Sequence, residues 1–153
     1  MSTPESRLEQ LGISVPEVPA PVASYVPAVQ TGSYVYTSGQ LPLRDGALVA
    51  TGKVGGAVTP EEATQCAQQC AVNAIAAVKS VVGDLARVQR VVKVVAFVSS
   101  TPDFTSQPSV ANGASELIGT AFGDAGQHAR SAVACPVLPL DAPVEVEMVV
   151  EVG

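Results

Sequence analysis

The sequence has few of the residues on which many catalytic and metal centres depend. It contains one histidine, no tryptophan and three cysteines, and aromatic residues make up only 4% of its 153 residues. A single histidine without a CxxC pair offers no usual zinc ligand set. The nucleophile elbow, phosphate loop and dinucleotide-binding fingerprint are also absent from the sequence. We therefore predict no metal and no cofactor.

Positive charge and long apolar runs are scarce as well. The eight Lys and Arg residues are scattered, the net charge is −6 and the pI is near 4.6, so binding to nucleic acid through phosphate contacts is not expected. No stretch approaches the roughly 18 to 20 apolar residues of a membrane helix, and residues 1–12 are too polar for a signal peptide. We expect no membrane partner and a cytoplasmic location.

Apolar residues are plentiful, at 47% of the chain, and their periodicity predicts an α+β fold. We divide the single domain into an N-terminal helix and extended connector over residues 1–20 and a main body over residues 21–153. The predicted elements are a helix from Pro4 to Gly12, strands at Val22–Gln30, Ser33–Ser38 and Ala47–Ala50, a helix at Pro60–Val82, a strand at Gln89–Ser99, a helix at Pro108–Phe122 and two final strands. The result is a mixed sheet with two main helices on one face.

Two segments carry the clearest signals. Thr59-Pro60-Glu61-Glu62 is typical of a helix start, with Thr59 as N-cap and Glu62 completing a capping box. The strand at Gln89–Ser99 is apolar at nearly every position, which indicates burial on both faces. Because two helices cover one face of the sheet, we expect the other face to meet another subunit. We interpret the three cysteines as core residues, since small apolar neighbours surround them.

The C-terminal stretch His128–Val152 holds the strongest candidate site. It reads as two neighbouring strands, with Arg130 near the start of the first. The second alternates, with Val144, Val146, Met148, Val150 and Val152 on one face and Glu145, Glu147, Val149 and Glu151 on the other. Arg130 fits either a salt bridge with Glu145 or Glu147 or the capture of a substrate carboxylate. Glu145 is either solvated or paired, or it holds a water as general base. We interpret His128 as a surface histidine.

Three motifs in this order resemble the Rid family of reactive intermediate deaminases, also called YjgF proteins. They are the corner Thr37–Pro42, the Ala129-Arg130-Ser131 triplet and the run Val144-Glu145-Val146-Glu147. Tyr25, read as part of the first strand, adds to the likeness, which covers about Pro21 to Val152. The resemblance implies a chorismate-mutase-like fold and a homotrimer with ligand clefts between neighbouring subunits.

The resemblance also implies an activity, the hydrolysis of 2-imino or enamine acids to 2-keto acids and ammonia. In that reading Arg130 binds the substrate carboxylate and Glu145 positions the hydrolytic water. Tyr25, Asn112 and the backbone of Gly39 line the pocket. The small-molecule partner is then a 2-imino or 2-keto acid.

Some features depart from the family pattern. Ala132 stands where many deaminating members have a cysteine, and the N-terminal segment is an extension, which together suggest a divergent subgroup. An alternative function is therefore a non-catalytic trimer that binds small carboxylates or acts like a chaperone. The endoribonuclease activity often attached to the family name is less favoured, because the chain is acidic and has no histidine pair for acid–base catalysis.

Overall fold

A five-stranded mixed sheet, covered on one face by two helices, forms the main body of the protein. The computed structural model describes residues 2–21 and 23–153, so Met1 and Val22, the predicted start of the first strand, lie outside the described residues. The elements are α1 (Pro4–Glu9), β1 (Ala28–Thr31), β2 (Tyr34–Thr37), β3 (Leu43–Arg44), β4 (Ala47–Leu48), α2 (Pro60–Val82), β5 (Val88–Ser99), α3 (Gln107–Phe122), β6 (Ala129–Cys135) and β7 (Val144–Val152).

The strand order of the main sheet is β1-β2-β7-β5-β6, and β3 with β4 forms a separate two-stranded hairpin. The predicted third strand thus belongs to this hairpin rather than to the main sheet. β6 runs parallel to β5, whereas the other neighbouring strands of the main sheet are antiparallel. The predicted adjacency of the last two strands is wrong, because β5 lies between them. A parallel pair needs a crossover connection, and α3 supplies it between β5 and β6.

Capping residues fix the ends of the helices. The Thr59 side chain accepts a hydrogen bond from the backbone N–H of Glu62 at 3.2 Å. Among the described contacts this is one half of the predicted capping box; the return bond from the Glu62 side chain is not among them. A complete capping box lies at α1, where Thr3 and Ser6 exchange bonds. At Gly83 the backbone turns to a φ of 78°, and α2 ends there as predicted.

The core lies between the helices and one face of the sheet. The predicted alternation of β7 is confirmed: its five inward residues are at most 4% exposed, and the four outward residues are half-buried. Small residues on α2 let the helix lie close to the sheet. Cys66 and Cys70 are among them and are fully buried, as predicted, and burial raises the pKa of the Cys66 thiol to about 11. Cys135 is only partly buried, and it packs at the edge of a second cluster formed by Leu41, Leu138 and Ala142, so the core interpretation holds for this thiol in part.

The described part of the chain covers the opposite face of the sheet only at one end, where a second small cluster of Leu41, Leu138 and Ala142 packs against Phe97. Tyr34 and Tyr36 on β2 are 41% and 48% exposed, and Val95 and Phe97 on β5 are half-buried. One chain therefore supplies only part of the burial predicted for both faces of the long strand.

The N-terminal segment is integrated into the fold. Leu8 of α1 is fully buried, and Arg7 Nη1 donates to the Ala121 carbonyl of α3 at 3.0 Å. Ile13, Val15 and Val18 of the connector pack against the main core. In the described residues no helix combines the length and the apolarity that a bilayer-spanning segment needs.

Candidate functional site

The guanidinium of Arg130 lies against α3. Arg130 is aligned with Val94 across the parallel β5–β6 pair, and Val94 is fully buried, so Arg130 points to the helix side of the sheet. Its Nη1 donates to Asn112 Oδ1 at 2.8 Å and to Ser115 Oγ at 3.2 Å, and its Nη2 donates to the Pro108 carbonyl at 3.3 Å. Residues 108, 112 and 115 share one face of α3, because they are spaced four and three apart.

These contacts leave part of the guanidinium open. Within the described part of the chain three of its five N–H groups are used, which leaves the Nε–H and one Nη2–H. No described acidic side chain forms a salt bridge with Arg130, so the predicted alternative of an ion pair with Glu145 or Glu147 is wrong. The guanidinium keeps its full positive charge and two N–H donors, which suits a carboxylate ligand.

Glu145 lines a small pocket that does not include Arg130. The pocket has a volume of about 60 Å³, and its lining includes Glu145, Tyr25, Gly39 and the connector residues Pro19 and Pro21. The backbones of Gln40 and Val146 exchange hydrogen bonds of 2.8 and 3.0 Å, which brings the Thr37–Pro42 corner beside β7. A Cβ on Gly39 would lie 2.7 Å from Glu145 Oε2, so this position accepts only glycine without moving the carboxylate.

The surroundings of Glu145 raise the pKa of its carboxyl group. Burial, and in second place the nearby charge of Glu147, raise the pKa of the Glu145 carboxyl above its ordinary value of 4.5. Both causes disfavour the charged form. A carboxylate with a raised pKa is a stronger base than a solvated one, which is the direction that a general base acting on water requires.

The two groups do not meet within one chain. Arg130 is aligned with Val94, and Glu145 with Phe97, on opposite sides of β5. From a rise of about 3.3 Å per residue and a strand spacing of about 4.8 Å, the two Cα atoms are about 14 Å apart. The two side chains also leave the sheet on opposite faces. A single chain thus carries two half-sites, which we call the Arg130 half-site (Pro108, Asn112, Ser115, Arg130) and the Glu145 half-site (Tyr25, Gly39, Glu145).

The structure places the other predicted residues as follows. Tyr25 precedes β1 rather than lying in it, and its ring is 45% exposed. The predicted strand was too long because Pro27 cannot donate to a ladder; instead Ser38 binds this segment through the carbonyls of Val26 and Pro27, at 2.6 and 2.7 Å. Ala132 follows Arg130 on the same face and packs partly buried against the core.

Two residues of the Arg130 surroundings were missed or misread from the sequence. Ser115 is bonded to Arg130, and its spacing of three residues from Asn112 could have indicated this contact. His128 was interpreted as a surface histidine, but it is half-buried and its ring nitrogens bond to Ser115 and to the Gly126 carbonyl. No sequence pattern brings His128 to Ser115, because the turn at Gly123–Gly126 decides where the ring lies.

Comparison with known proteins identifies the family. Residues 5–152 match the family model described as "YjgF/chorismate mutase-like, putative endoribonuclease". The chain belongs to the YjgF family. The predicted resemblance is thereby confirmed, and with it the chorismate-mutase-like fold.

Individual YjgF relatives extend over nearly the whole chain. Protein TCP17 of Trypanosoma cruzi is 44% identical over 149 residues, which cover 97% of this chain and 93% of the relative. The 2-iminobutanoate/2-iminopropanoate deaminase of Dermatophagoides farinae is 35% identical over 139 residues, covering 90% of this chain and 93% of the relative. The crystal structure of Atu1372 from Agrobacterium tumefaciens, a protein of unknown function, superposes with a TM-score of 0.93 at 43% identity, covering 99% of this chain and 94% of the other.

Proposed function

We propose that this YjgF protein hydrolyses 2-imino acids and their enamine tautomers to 2-keto acids and ammonia. The observation that carries the proposal is the pair of complementary half-sites. Arg130 offers two open N–H donors to a carboxylate, and Glu145 offers a carboxylate of raised pKa in a small pocket. The likeness to a relative named as a 2-imino acid deaminase supports the same reaction.

The chemistry needs both groups at one substrate. The Arg130 guanidinium binds the carboxylate through Nε–H and Nη2–H, which orients the adjacent imine carbon. Glu145 accepts a proton from a water molecule as its oxygen forms a bond to that carbon, giving a tetrahedral carbinolamine. The proton passes from Glu145 to the nitrogen, and the proton of the new hydroxyl group then follows the same route through Glu145 as the C=O bond forms and the C–N bond breaks, so that ammonia and the 2-keto acid leave. Tyr25 closes one side of this pocket.

The half-sites come together, in this proposal, at the contact between neighbouring copies of a homotrimer. Two features support an assembly. The half-sites lie on opposite sides of the sheet about 14 Å apart, and the largely uncovered sheet face carries exposed Tyr34 and Tyr36 and half-buried Val95. A cyclic arrangement of three copies would bring the Arg130 half-site of each subunit to the Glu145 half-site of the next. Light scattering measures the mass directly, and a monomer would contradict this part of the proposal.

The first experiment is ammonia-linked hydrolysis of 2-iminopropanoate and 2-iminobutanoate, formed in situ from the amino acids. We expect turnover by the wild type and a loss of kcat/KM of at least about a hundredfold in Arg130→Ala, because a charged bidentate partner is removed. Arg130→Lys should recover little, since an ammonium lacks the planar fork. Arg90→Ala is the matched control, because Arg90 is an exposed arginine of β5.

A second candidate is a trimer that binds a small carboxylate without turning it over. Ala132 favours it, because a methyl group stands two residues after Arg130 where many deaminating relatives carry a thiol. Binding of 2-oxobutanoate by a folded wild type that releases no ammonia would support this candidate and contradict the deaminase.

A further inference from the structure

A chain of hydrogen bonds runs from Arg130 to the backbone through Ser115 and His128. Arg130 Nη1 lies 3.2 Å from Ser115 Oγ, Ser115 Oγ lies 2.9 Å from His128 Nε2, and His128 Nδ1 lies 2.6 Å from the Gly126 carbonyl oxygen. Two of its members, Ser115 and His128, have no part in the deaminase chemistry described above.

The donor and the acceptor of each hydrogen bond in this series follow from the groups at its two ends, the Gly126 carbonyl and the Arg130 guanidinium. A carbonyl oxygen can only accept, so His128 Nδ1 carries a proton. In the neutral ring Nε2 is then an acceptor, and the Ser115 hydroxyl donates to it. The guanidinium can only donate, so Ser115 Oγ presents its lone pairs to Arg130 Nη1. With this tautomer, His128 sets the orientation of the Ser115 hydroxyl that receives Arg130.

The far end of the chain is held rigidly. Gly126 is buried, and a Cβ on it would lie 2.7 Å from the Ile118 carbonyl oxygen of α3. The Gly126 carbonyl is therefore fixed against the same helix that carries Asn112, Ser115 and Pro108. Arg130 is consequently held on α3 in two ways. It bonds directly to Pro108, Asn112 and Ser115, and Ser115 is in turn fixed through His128 to the Gly126 carbonyl.

We infer that Ser115 and His128 are positioning residues for Arg130, an inference that rests on the proposed function's assignment of Arg130 to the substrate carboxylate. They hold Nη1 through a hydroxyl of fixed orientation and so leave Nε–H and one Nη2–H aimed at the ligand. An arginine side chain has many rotamers, and ordering it before the ligand arrives removes that cost from binding. Loss of this ordering should therefore weaken the binding of the substrate carboxylate and leave the attack of water on the bound substrate largely unchanged.

The tautomer tests the inference without any ligand. His128 is the one histidine of the sequence, so a long-range ¹H–¹⁵N spectrum of the untagged protein contains a single imidazole. We expect a proton on Nδ1 and an acceptor shift at Nε2, and a change in the Nε2 shift in Ser115→Ala. A ring protonated at Nε2 near neutral pH would overturn the inference.

Two substitutions of His128 distinguish the role of its hydrogen bond with Ser115 from the role of its hydrogen bond with the Gly126 carbonyl. A glutamine amide reaches the position of Nε2 and can accept from Ser115, whereas an asparagine amide reaches only the position of Nδ1 and can donate only to Gly126. We expect His128→Gln to keep KM within about twofold, and His128→Asn and Ser115→Ala to raise it about tenfold with kcat changed less than about threefold. Ser109→Ala, at an exposed serine of α3, is the control and should match the wild type.

Binding of 2-oxobutanoate, measured by calorimetry on the same variants, distinguishes this inference from the proposed reaction. If the wild type and His128→Gln bind it tightly and the other two variants weakly, the inference stands even when no imine is turned over, and only the deaminase proposal fails. Equal affinity or equal KM across all variants would overturn the positioning role. A wild type that binds no 2-keto acid would overturn both, because Arg130 would then hold no carboxylate.

Discussion

At the scale of single residues, Gly39 has a clear role in shaping the site. A methyl group on this residue would lie 2.7 Å from the Glu145 carboxylate, and the atom that must move is the end of a flexible side chain. We therefore predict that Gly39→Ala changes the free energy of unfolding by less than about 1 kcal/mol, since no backbone must shift. It should lower kcat/KM for 2-iminobutanoate about a hundredfold, because the carboxylate of Glu145, the proposed general base, is displaced.

A double variant that combines Gly39→Ala with Glu145→Gln shows whether Gly39→Ala lowers activity by displacing Glu145. Adding Gly39→Ala to Glu145→Gln should produce no further loss of activity, because residues that act as a unit are not additive. Independent losses would instead show that Gly39 acts on the substrate in another way.

The raised pKa of Glu145 predicts a pH dependence of stability. Its folded pKa lies above the ordinary value of 4.5, so the contribution of its protonated form to stability is present below that pH and is lost as the pH rises through the folded pKa. Glu145→Gln stays neutral throughout. We expect its urea midpoint to exceed that of the wild type near pH 7 and to equal it at about pH 3.5. If the urea midpoints of Glu145→Gln and the wild type differed by the same amount at both pH values, the raised pKa of Glu145 could not be the cause of the difference.

At the scale of elements, the packing of α3 on α2 depends on Gly113. A Cβ there would collide with the Thr64 carbonyl oxygen of α2, a backbone atom that cannot move alone. We predict that Gly113→Ala destabilises the fold by about 1–3 kcal/mol, as overpacking does. Gly119 is the matched control on the same helix, because nothing lies within 4 Å of its Cβ position. Gly119→Ala should raise stability by about 0.5–1 kcal/mol in urea denaturation, as expected for Gly to Ala in a helix.

The elements were predictable where local patterns decide them. The period of two placed β7 and its buried face, and the Thr59-Pro60 signal placed the start of α2. Strand order was not predictable in the same way. The last two strands looked like neighbours, but pairing of β6 with β5 across α3 is a long-range choice that no local pattern records. The shortening of the first strand to Ala28–Thr31 could have been read from Pro27.

The functional roles of Arg130 and Glu145 stay predictions, and the layout of these two residues was not predictable from the sequence. The motifs identified Arg130 and Glu145, but they gave no sign that the two side chains leave the sheet on opposite faces. That fact follows from an odd offset of three positions along β5, from Val94 to Phe97, which only the register of the folded sheet defines. For the same reason the ion pair between Arg130 and Glu145, considered from the sequence, cannot form within one chain.

At the scale of the whole molecule, the proposed assembly of several copies would account for both the largely uncovered sheet face and the two separate half-sites. Exposed tyrosines beside half-buried Val95 and Phe97 form a surface that a second copy could bury. The same contact would be what joins an Arg130 half-site to a Glu145 half-site. Assembly and activity should therefore be lost together when this face is altered.

Mixing two inactive variants tests this link between assembly and activity. In the ring of subunits that we propose, each cleft would take Arg130 from one copy and Glu145 from the next. Arg130→Ala and Glu145→Gln chains, each inactive alone, should regain about a quarter of wild-type activity when equal amounts are unfolded and refolded together, because about one cleft in four then receives both intact residues. Pairing Arg130→Ala with wild-type-like Arg90→Ala gives the reference for the yield of refolding, because about half of the clefts should work there whether or not the chains mix. Native mass spectrometry of the co-refolded mixture shows whether single trimers contain both variants. Mixed trimers without activity would contradict a cleft that is built from two neighbouring chains.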